Sequence, residues 1–167
     1  MTDRPITHRN ILSERLIEVV GDTKYSNVLE LGARTSDFDK IINHDTYLKT
    51  DFPDVDAHNL PYDDNTYDLV FMSHTFEHFV NPIQALFEIN RVLKPNGTVI
   101  IVNPYHCDHQ VIGADADHLF VLTEIQFRRL LRYTNYKDIN VFTQIKFRNA
   151  PIELKQDFNT FAVAKKQ

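Results

Sequence analysis

Acidic residues lie at the ends of three predicted strands, where the chain turns and a ligand could be held. Glu30 precedes Gly32 at the end of the first strand, and a glycine there lets the backbone turn sharply without a Cβ in the way. Asp51 ends the second strand about 20 residues after Gly32, the spacing at which a carboxylate meets a pair of ribose hydroxyls. Asp56 follows a very short third strand at Val55. A single Asp after a strand is often only a turn residue, but three acids in succession predict a ligand pocket.

A second pattern, His74-Thr-Phe-Glu-His78, matches the His-x-x-Glu-His spacing of one group of zinc peptidases. That chemistry needs a helix, so that both imidazoles share a face, and a third ligand further along the chain. Here the segment leaves a predicted strand and precedes Pro82, which favours a place in the pocket wall over a peptidase site. As pocket residues, His78 and His74 either accept a proton from a hydroxyl or amine substrate or only shape the pocket.

Residues 105–118 are rich in side chains that could contact a substrate. They follow the predicted fifth strand and include His106, Cys107, Asp108, His109, Asp115, Asp117 and His118. We expect this segment to form either a substrate lid or a polar surface loop. No pair of these residues has a standard metal-ligand spacing on a predicted helix, so no metal site is predicted.

Strands alternate with helices along the chain, which predicts a mainly parallel sheet with right-handed crossovers. The run Tyr67–Met72 is too continuously apolar for a sheet with one face in water. Such sheets bind ligands at the carboxyl ends of their strands, where the acids lie. Helices are predicted at 6–20, 82–93 and 124–131, and strands at 27–31, 47–50, 55, 67–72, 98–102, 139–142 and 160–164.

The ends of the predicted helices carry specific signals. Asn81 can cap a helix whose first residue is Pro82, because proline has no N–H to leave unpaired there. Thr123 with Gln126 forms a capping box before the last helix. Gly21 stands at the C-terminal cap of the first helix.

Composition indicates one acidic globular domain over residues 1–167. The net charge is −5, and the only Lys/Arg runs are the pairs Arg128-Arg129 and Lys165-Lys166, so a nucleic acid is not expected as the primary partner. No apolar stretch approaches the roughly 20 residues that span a membrane, and the N-terminus is polar. Because no stretch could span a membrane, we expect no association with membranes. The single cysteine can form no internal disulfide, which fits a cytoplasmic protein.

The densest pattern lies between residues 56 and 104. Its stretches DAHNLPYDDNTYDLV and EINRVLKPNGTVII, with the later DHLFVLTEIQFRRLLRYTNY, make the chain similar to the small, type 11-like class I S-adenosylmethionine-dependent methyltransferases. The resemblance implies a Rossmann-like, doubly wound α/β domain whose mainly parallel, seven-stranded sheet has its last strand antiparallel. It also implies transfer of a methyl group from S-adenosylmethionine to a small molecule or to a sugar- or lipid-linked intermediate.

Carried over position by position, the resemblance assigns cofactor contacts to the ends of four strands. Those at the methionine end are Glu30, Gly32 and the backbone of Ala33 and Arg34. Those at the nucleoside are Asp51 for the ribose hydroxyls, Phe52 near the adenine, Asp56 for the adenine amino group and Ala57 beside the ring. Those beside the sulfonium are Ser73 and His74. Glu77 and His78 then open onto the substrate.

The chain departs from the family pattern in two places. The family's loop reads acid-x-Gly-x-Gly-x-Gly, whereas ELGARTSDF carries Arg34 and Ser36 at the last two glycine positions. Between Asp51 and Asp56 there is no room for the helix that members usually have, which leaves one sheet face thinly covered. We expect a partner subunit in a homodimer, or the N-terminal helix 6–20, to cover it.

These departures leave two alternatives to an active enzyme of this family. One is a methyltransferase-like binding or regulatory module that has lost its affinity for the cofactor. The other is an NAD-dependent dehydrogenase, which Arg34 disfavours because that fold needs a second glycine close to the pyrophosphate.

Overall fold

Helices pack on both faces of a six-stranded sheet in the computed structural model, which describes residues 8–104, 118–147 and 156–167. The strands are β1 (Tyr25–Leu31), β2 (His44–Thr50), β3 (Tyr67–Ser73), β4 (Leu93–Pro104), β5 (Tyr136–Phe147) and β6 (Gln156–Lys166). The α-helices are α1 (His8–Val20), α2 (Pro82–Val92) and α3 (Glu124–Tyr133), and short 3-10 helices lie at Phe38–Lys40 and Phe76–His78. The strand order is β2-β1-β3-β4-β6-β5.

Strand direction places the ligand-binding edge of the sheet. The pairs β1–β2, β1–β3 and β3–β4 are parallel, whereas β6 runs antiparallel to both β4 and β5. The prediction of a Rossmann-like, doubly wound sheet with an antiparallel last strand is therefore confirmed. Because β1, β2, β3 and β4 point the same way, their carboxyl ends meet at one edge.

The predicted third strand, at Val55, is wrong, so the sheet has six strands within the described ranges and not the predicted seven. Residues 51–61 form turns instead, and the Val55 N–H donates to the Asp51 carbonyl at 3.0 Å. A parallel neighbour of β2 would need a crossover of a dozen or more residues, and the few residues after Thr50 cannot supply one. Asp56 consequently comes from a turn and not from a strand end.

The sheet is buried on both faces, as the apolar run in β3 predicts. Leu69, Val70, Phe71 and Met72 are all inaccessible to solvent. Val70 and Met72 pack on the face that carries α2 and α3, and Leu69 and Phe71 pack on the face that carries α1. The alternation splits one continuous apolar run between two cores.

The predicted helix ends are confirmed. The Asn81 side chain accepts a hydrogen bond from the Gln84 N–H at 3.1 Å. Thr123 and Gln126 bond each other reciprocally in a complete capping box. Gly21 has φ +54°, and its N–H donates to the Ile17 carbonyl at 2.9 Å. The first helix begins at His8, and the start predicted at residue 6 lies outside the described residues.

α1 packs on the face of the sheet that carries Leu69 and Phe71. Leu12, Leu16 and Val20 pack with Phe38 and Ile42 in one buried cluster. The connection from β1 to β2 contains only the 3-10 helix, whose Phe38 ring meets Phe71 edge-on at 5.0 Å between centroids. The outer strand β2 stays half exposed, with Leu48 38% accessible. Of the helices in these ranges, none combines the length and apolarity needed to cross a membrane.

Candidate functional site

A cleft of about 820 Å³ opens at the carboxyl ends of β1, β2 and β3. Its volume lies within the range of small-molecule and cofactor sites, about 300–1,000 Å³. Eight residues that the sequence analysis singled out line it together: Gly32, Arg34, Asp51, Phe52, Asp56, Ala57, His74 and His78. Residues far apart along the chain therefore share one cavity, because parallel strands end at the same edge.

Three predicted contact residues do not line the cleft. Glu30 is 2% exposed, and its carboxylate accepts hydrogen bonds from the Ser36 hydroxyl at 2.7 Å and the Tyr47 hydroxyl at 2.8 Å. Burial raises the pKa of Glu30, although both hydroxyls act against that rise. Ala33 is buried, and its N–H donates to the Thr50 carbonyl at 2.9 Å. Ser73 is half-buried at the end of β3 and is not among the residues that line the cleft.

Gly32 is required by a neighbouring side chain. Its φ is +71°, and a Cβ built there would lie 2.1 Å from Thr75 Oγ1. The Thr75 hydroxyl lies within hydrogen-bond distance of two carbonyls, at 3.3 Å from Leu31 and 3.1 Å from Ser73. The sequence predicts a sharp turn here with no Cβ in the way, and in the structure the space of that Cβ is taken by Thr75, which itself lines the cleft.

Asp51 is held at the rim of the cleft by two contacts. Its Oδ2 accepts from Arg34 Nε at 3.1 Å, and its Oδ1 accepts from the Phe52 N–H at 3.0 Å. The Arg34 side chain is 82% exposed, so the guanidinium lies over the rim and does not fill the cavity. A carboxylate has about four acceptor positions, so Asp51 can still accept from two ligand hydroxyls.

Asp56 is oriented by His58, which the sequence analysis did not identify. The Asp56 Oδ1 atom accepts from the His58 N–H at 2.9 Å and lies 2.6 Å from His58 Nδ1. These contacts lower the pKa of Asp56, with the backbone hydrogen bond as the largest cause. The His58 Nε2 atom accepts from the Asn81 N–H at 3.1 Å, which ties Asp56 to the start of α2. The signal available was the Asp-x-His spacing, since Asp side chains often bond the backbone two residues on.

Arg91 fastens the turn segment to α2. Its guanidinium donates to the carbonyls of Leu60 at 2.9 Å and Tyr62 at 2.7 Å, and to Asp64 Oδ1 at 2.8 Å. Glu88 completes the arrangement, because it accepts from Arg91 at 2.8 Å and from the Leu60 N–H at 3.0 Å. The bond from Arg91 lowers the pKa of Glu88. Arg91 and Glu88 belong to the EINRVLKPNG stretch, which does not itself line the cleft. The stretch contributes by fixing the segment after β2 that carries the two cleft carboxylates, Asp51 and Asp56.

Histidines also line the cleft. His74 has φ +52°, its N–H donates to the Val102 carbonyl at 2.8 Å, and its Nε2 lies 3.0 Å from Asn159 Oδ1. His78 ends the second 3-10 helix and is exposed to the cleft. Behind both, Glu77 is fully buried, and its Oε1 lies 3.7 Å from His74 Nδ1 and 3.7 Å from His118 Nε2.

Two further observations concern β4 and the segment that follows it. Asn103 is fully buried near the end of β4, and its side-chain amide finds no hydrogen-bond partner within the described part of the chain. The predicted lid, 105–118, lies outside the described residues apart from His118, which is 11% exposed. The Leu119 N–H donates to the Glu77 carbonyl at 2.9 Å, so His118 lies directly beside the second 3-10 helix.

Comparison with known proteins identifies a family that the sequence matches. The sequence model of a family described as "Methyltransferase domain" matches residues 12–101. The ubiquinone/menaquinone biosynthesis C-methyltransferase UbiE of Blochmanniella pennsylvanica is 34% identical over 101 residues, which are 60% of this chain and 37% of that protein. An uncharacterised methyltransferase of Schizosaccharomyces pombe is 36% identical over 111 residues, 54% of this chain and 44% of that protein. The chain thus spans less than half the length of these relatives.

Solved structures share the fold at low sequence identity. A SAM-dependent methyltransferase from Archaeoglobus fulgidus superposes with a TM-score of 0.68 at 16% identity, covering 95% of this chain and 94% of its own. Phosphoethanolamine N-methyltransferase 2 of Haemonchus contortus, in complex with S-adenosylmethionine, gives a TM-score of 0.69 at 13% identity, covering 96% of this chain and 58% of its own. At such identities these matches establish the architecture alone.

Proposed function

This chain belongs to the methyltransferase domain family, and we propose that it transfers a methyl group from S-adenosylmethionine to a small molecule or to a sugar- or lipid-linked intermediate. The observation that carries the proposal is the single cleft in which Gly32, Asp51 and Asp56 meet at the ends of the strands. Two carboxylates at that edge match the two hydrogen-bonding parts of an adenosyl group, the ribose hydroxyls and the adenine amino group.

The cleft residues fit the cofactor one by one. Asp51 accepts from the ribose hydroxyls with the acceptor positions that Arg34 and Phe52 leave over. The Phe52 ring, 74% exposed beside Asp51, offers an apolar face to the adenine. The contacts from His58 lower the pKa of Asp56, which keeps it ionised as an acceptor for the adenine amino group.

The methionine end belongs beside the β1 loop and the His74 turn. Gly32 and Arg34 line this part of the cleft, while Glu30 and Ala33 are buried beside them in the chain. The chemistry supplied by bound S-adenosylmethionine is an electrophilic methyl group on a positively charged sulfur. The cleft walls contribute mainly by holding the acceptor in line with that methyl group, since orientation alone can remove a large part of a barrier.

His78 and His74 stand where an acceptor would enter. Both line the cleft, and an imidazole can take a proton from a hydroxyl or amine near neutral pH. We assign His78 this role first, because its side chain is exposed and lines the cleft.

Calorimetric titration with S-adenosylhomocysteine tests the proposal. We expect one site per chain, and we expect Asp51→Ala to weaken binding about 10- to 100-fold, since a hydrogen bond to a charged group contributes about 1.5–3 kcal/mol. Asp54→Ala is the matched control, because Asp54 is an exposed acid of the same turn that does not line the cleft, and it should bind like the wild type.

Two results would contradict the proposal. If the wild-type chain is folded and gives no heat with millimolar S-adenosylhomocysteine, the chain is a module that has lost its cofactor. If Asp51→Ala binds as tightly as Asp54→Ala, the adenosyl group does not use this cleft.

A further inference from the structure

β2 is the outermost strand at one end of the sheet. Within the described ranges it pairs with β1 alone, and residues 51–61 form turns in place of a further strand. The Asn43 carbonyl accepts from the Tyr25 N–H at 3.0 Å, so residues that bond β1 alternate with residues that direct their N–H and C=O groups outward. The outward set is His44, Thr46 and Leu48. Such a row of backbone groups can pair with another strand.

β2 carries opposite charges near its two ends. Asp45 lies near the start of the strand with its side chain 55% accessible, and Lys49 lies near the end with its side chain 34% accessible. Each has a local partner, because Asp45 pairs with Lys24, and Lys49 pairs with Asp39 at 2.7 Å. Tyr47, midway between them, shares their face of the strand, since side chains alternate. The strand is therefore complementary in charge to a second copy that runs the other way.

We propose that two copies of this chain form a homodimer by antiparallel pairing of their β2 strands about a two-fold axis at Tyr47. In this register Asp45 lies opposite Lys49 of the second copy, and the symmetry repeats the pair. Thr46 lies opposite Leu48 of the second copy, and the two exchange backbone hydrogen bonds through their outward groups. Each new ion pair joins two local ones into a row of alternating charge.

The charges select this register among the symmetric alternatives. An axis at residue 45 or 49 would place two aspartates or two lysines directly opposite each other, which is unfavourable. An axis at Thr46 or Leu48 would bring no opposite charges face to face. With the axis at Tyr47, Leu48, 38% accessible, packs beside the side chain of Thr46 of the second copy.

The expected dimer is weak. Its interface is small, and exposed ion pairs contribute little each, so we expect a Kd in the micromolar range. Antiparallel pairing directs the clefts of the two copies to opposite edges of one continuous sheet, so neither cleft faces the other. The pairing does not depend on cofactor binding.

Sedimentation velocity of the full chain at micromolar to millimolar concentration tests the proposal with two charge reversals. We expect the wild type to dimerise, and we expect Asp45→Lys and Lys49→Asp each to weaken dimerisation at least about 10-fold, because each places like charges opposite each other twice. An equimolar mixture of the two variants should dimerise again, since a strand with two lysines then faces a strand with two aspartates. Asp138→Lys is the control, because Asp138 is an exposed acid on β5 at the other edge of the sheet, and it should dimerise like the wild type.

Cross-linking tests the register without changing a charge. In a Cys107→Ser background, Thr46→Cys mixed with Leu48→Cys should form a disulfide-linked dimer, because the Cα atoms of a hydrogen-bonded antiparallel pair lie about 5.5 Å apart. Thr46→Cys alone should not cross-link, since position 46 of the second copy lies diagonally, at more than about 7 Å. This measurement stands even if a charge reversal fails to fold, as circular dichroism will show.

Three results would overturn the proposal. One is a wild type that stays monomeric at millimolar concentration. Another is dimerisation of a folded charge-reversal variant as tight as that of the wild type, because another surface would then hold the copies together. The third is a cross-link that forms as readily in Thr46→Cys alone as in the mixture, because the strands would then pair in another register.

Discussion

Arg34 and Gly32 show how single residues set the character of the cleft. Arg34 occupies the second glycine position of the family's loop, and its φ of +32° keeps a backbone conformation that glycine adopts more easily. Its side chain reaches Asp51 across the rim. Gly32 cannot be replaced in this way, because Thr75 fills the space beside it.

Gly32→Ala tests that difference at the residue scale. The new Cβ would meet Thr75 Oγ1 at 2.1 Å on a backbone with φ +71°, so we expect a loss of about 3 kcal/mol or more in the free energy of unfolding. Gly21→Ala is the matched control, since its φ is +54° but nothing lies within 4 Å of the new Cβ, and it should cost about 1 kcal/mol. Urea denaturation measures both. Equal losses would show that the conformation alone matters and that Thr75 yields.

The residue types of the site were predictable, and their partners were not. Asp51 could be identified because it follows the strand β2, whereas Asp56 was identified from a predicted strand that proved to be a turn. The Arg34–Asp51 pair and the Gly32–Thr75 contact join positions far apart in sequence, which only the folded sheet brings together. Glu30 shows the opposite error, since an acid at a strand end can point behind the cleft and bond Ser36 and Tyr47.

At the scale of elements, the segment from Asp51 to Thr66 replaces a crossover helix and a strand with turns. Such a segment has few backbone hydrogen bonds of its own, so side chains must fix it. Arg91 and Glu88 do so from α2, and Lys166 from β6 adds a hydrogen bond to Asn65 at 2.8 Å.

Arg91→Gln tests whether this anchor holds the segment. It removes the charged donor from the Leu60 and Tyr62 carbonyls and from Asp64, so we expect a loss of about 2–3 kcal/mol in the free energy of unfolding. Arg132→Gln on α3 is the control, because Arg132 is exposed and should change stability by no more than about 0.5 kcal/mol. Urea denaturation of both variants measures these two losses in the free energy of unfolding. A loss for Arg91→Gln no larger than the control's would mean that the turns hold themselves.

The elements with strong local signals were predictable from sequence. Asn81, Thr123 and Gly21 marked helix ends that the structure confirms, and the apolar run of β3 indicated burial on both faces. The strand at Val55 was wrong because one β-branched residue carries β propensity, whereas strand pairing depends on a crossover long enough to reach the sheet.

At the scale of the whole molecule, the common direction of β1, β2, β3 and β4 brings the residues of the cleft together. Four strands end at one edge, so residues from the β1 loop, the β2 end, the turn segment and the second 3-10 helix share one cleft. Two carboxylates and three imidazoles of the described residues therefore line one cleft. The same edge holds the buried Asn103 amide, which leaves a further polar group where β4 ends.

A crystal structure of the chain with S-adenosylhomocysteine tests this account most directly. It should show the ribose hydroxyls within hydrogen-bond distance of Asp51, the adenine amino group at Asp56, and Arg34 still outside the cavity. An adenosyl group bound anywhere else, or an Arg34 side chain occupying the cleft in its place, would contradict the account.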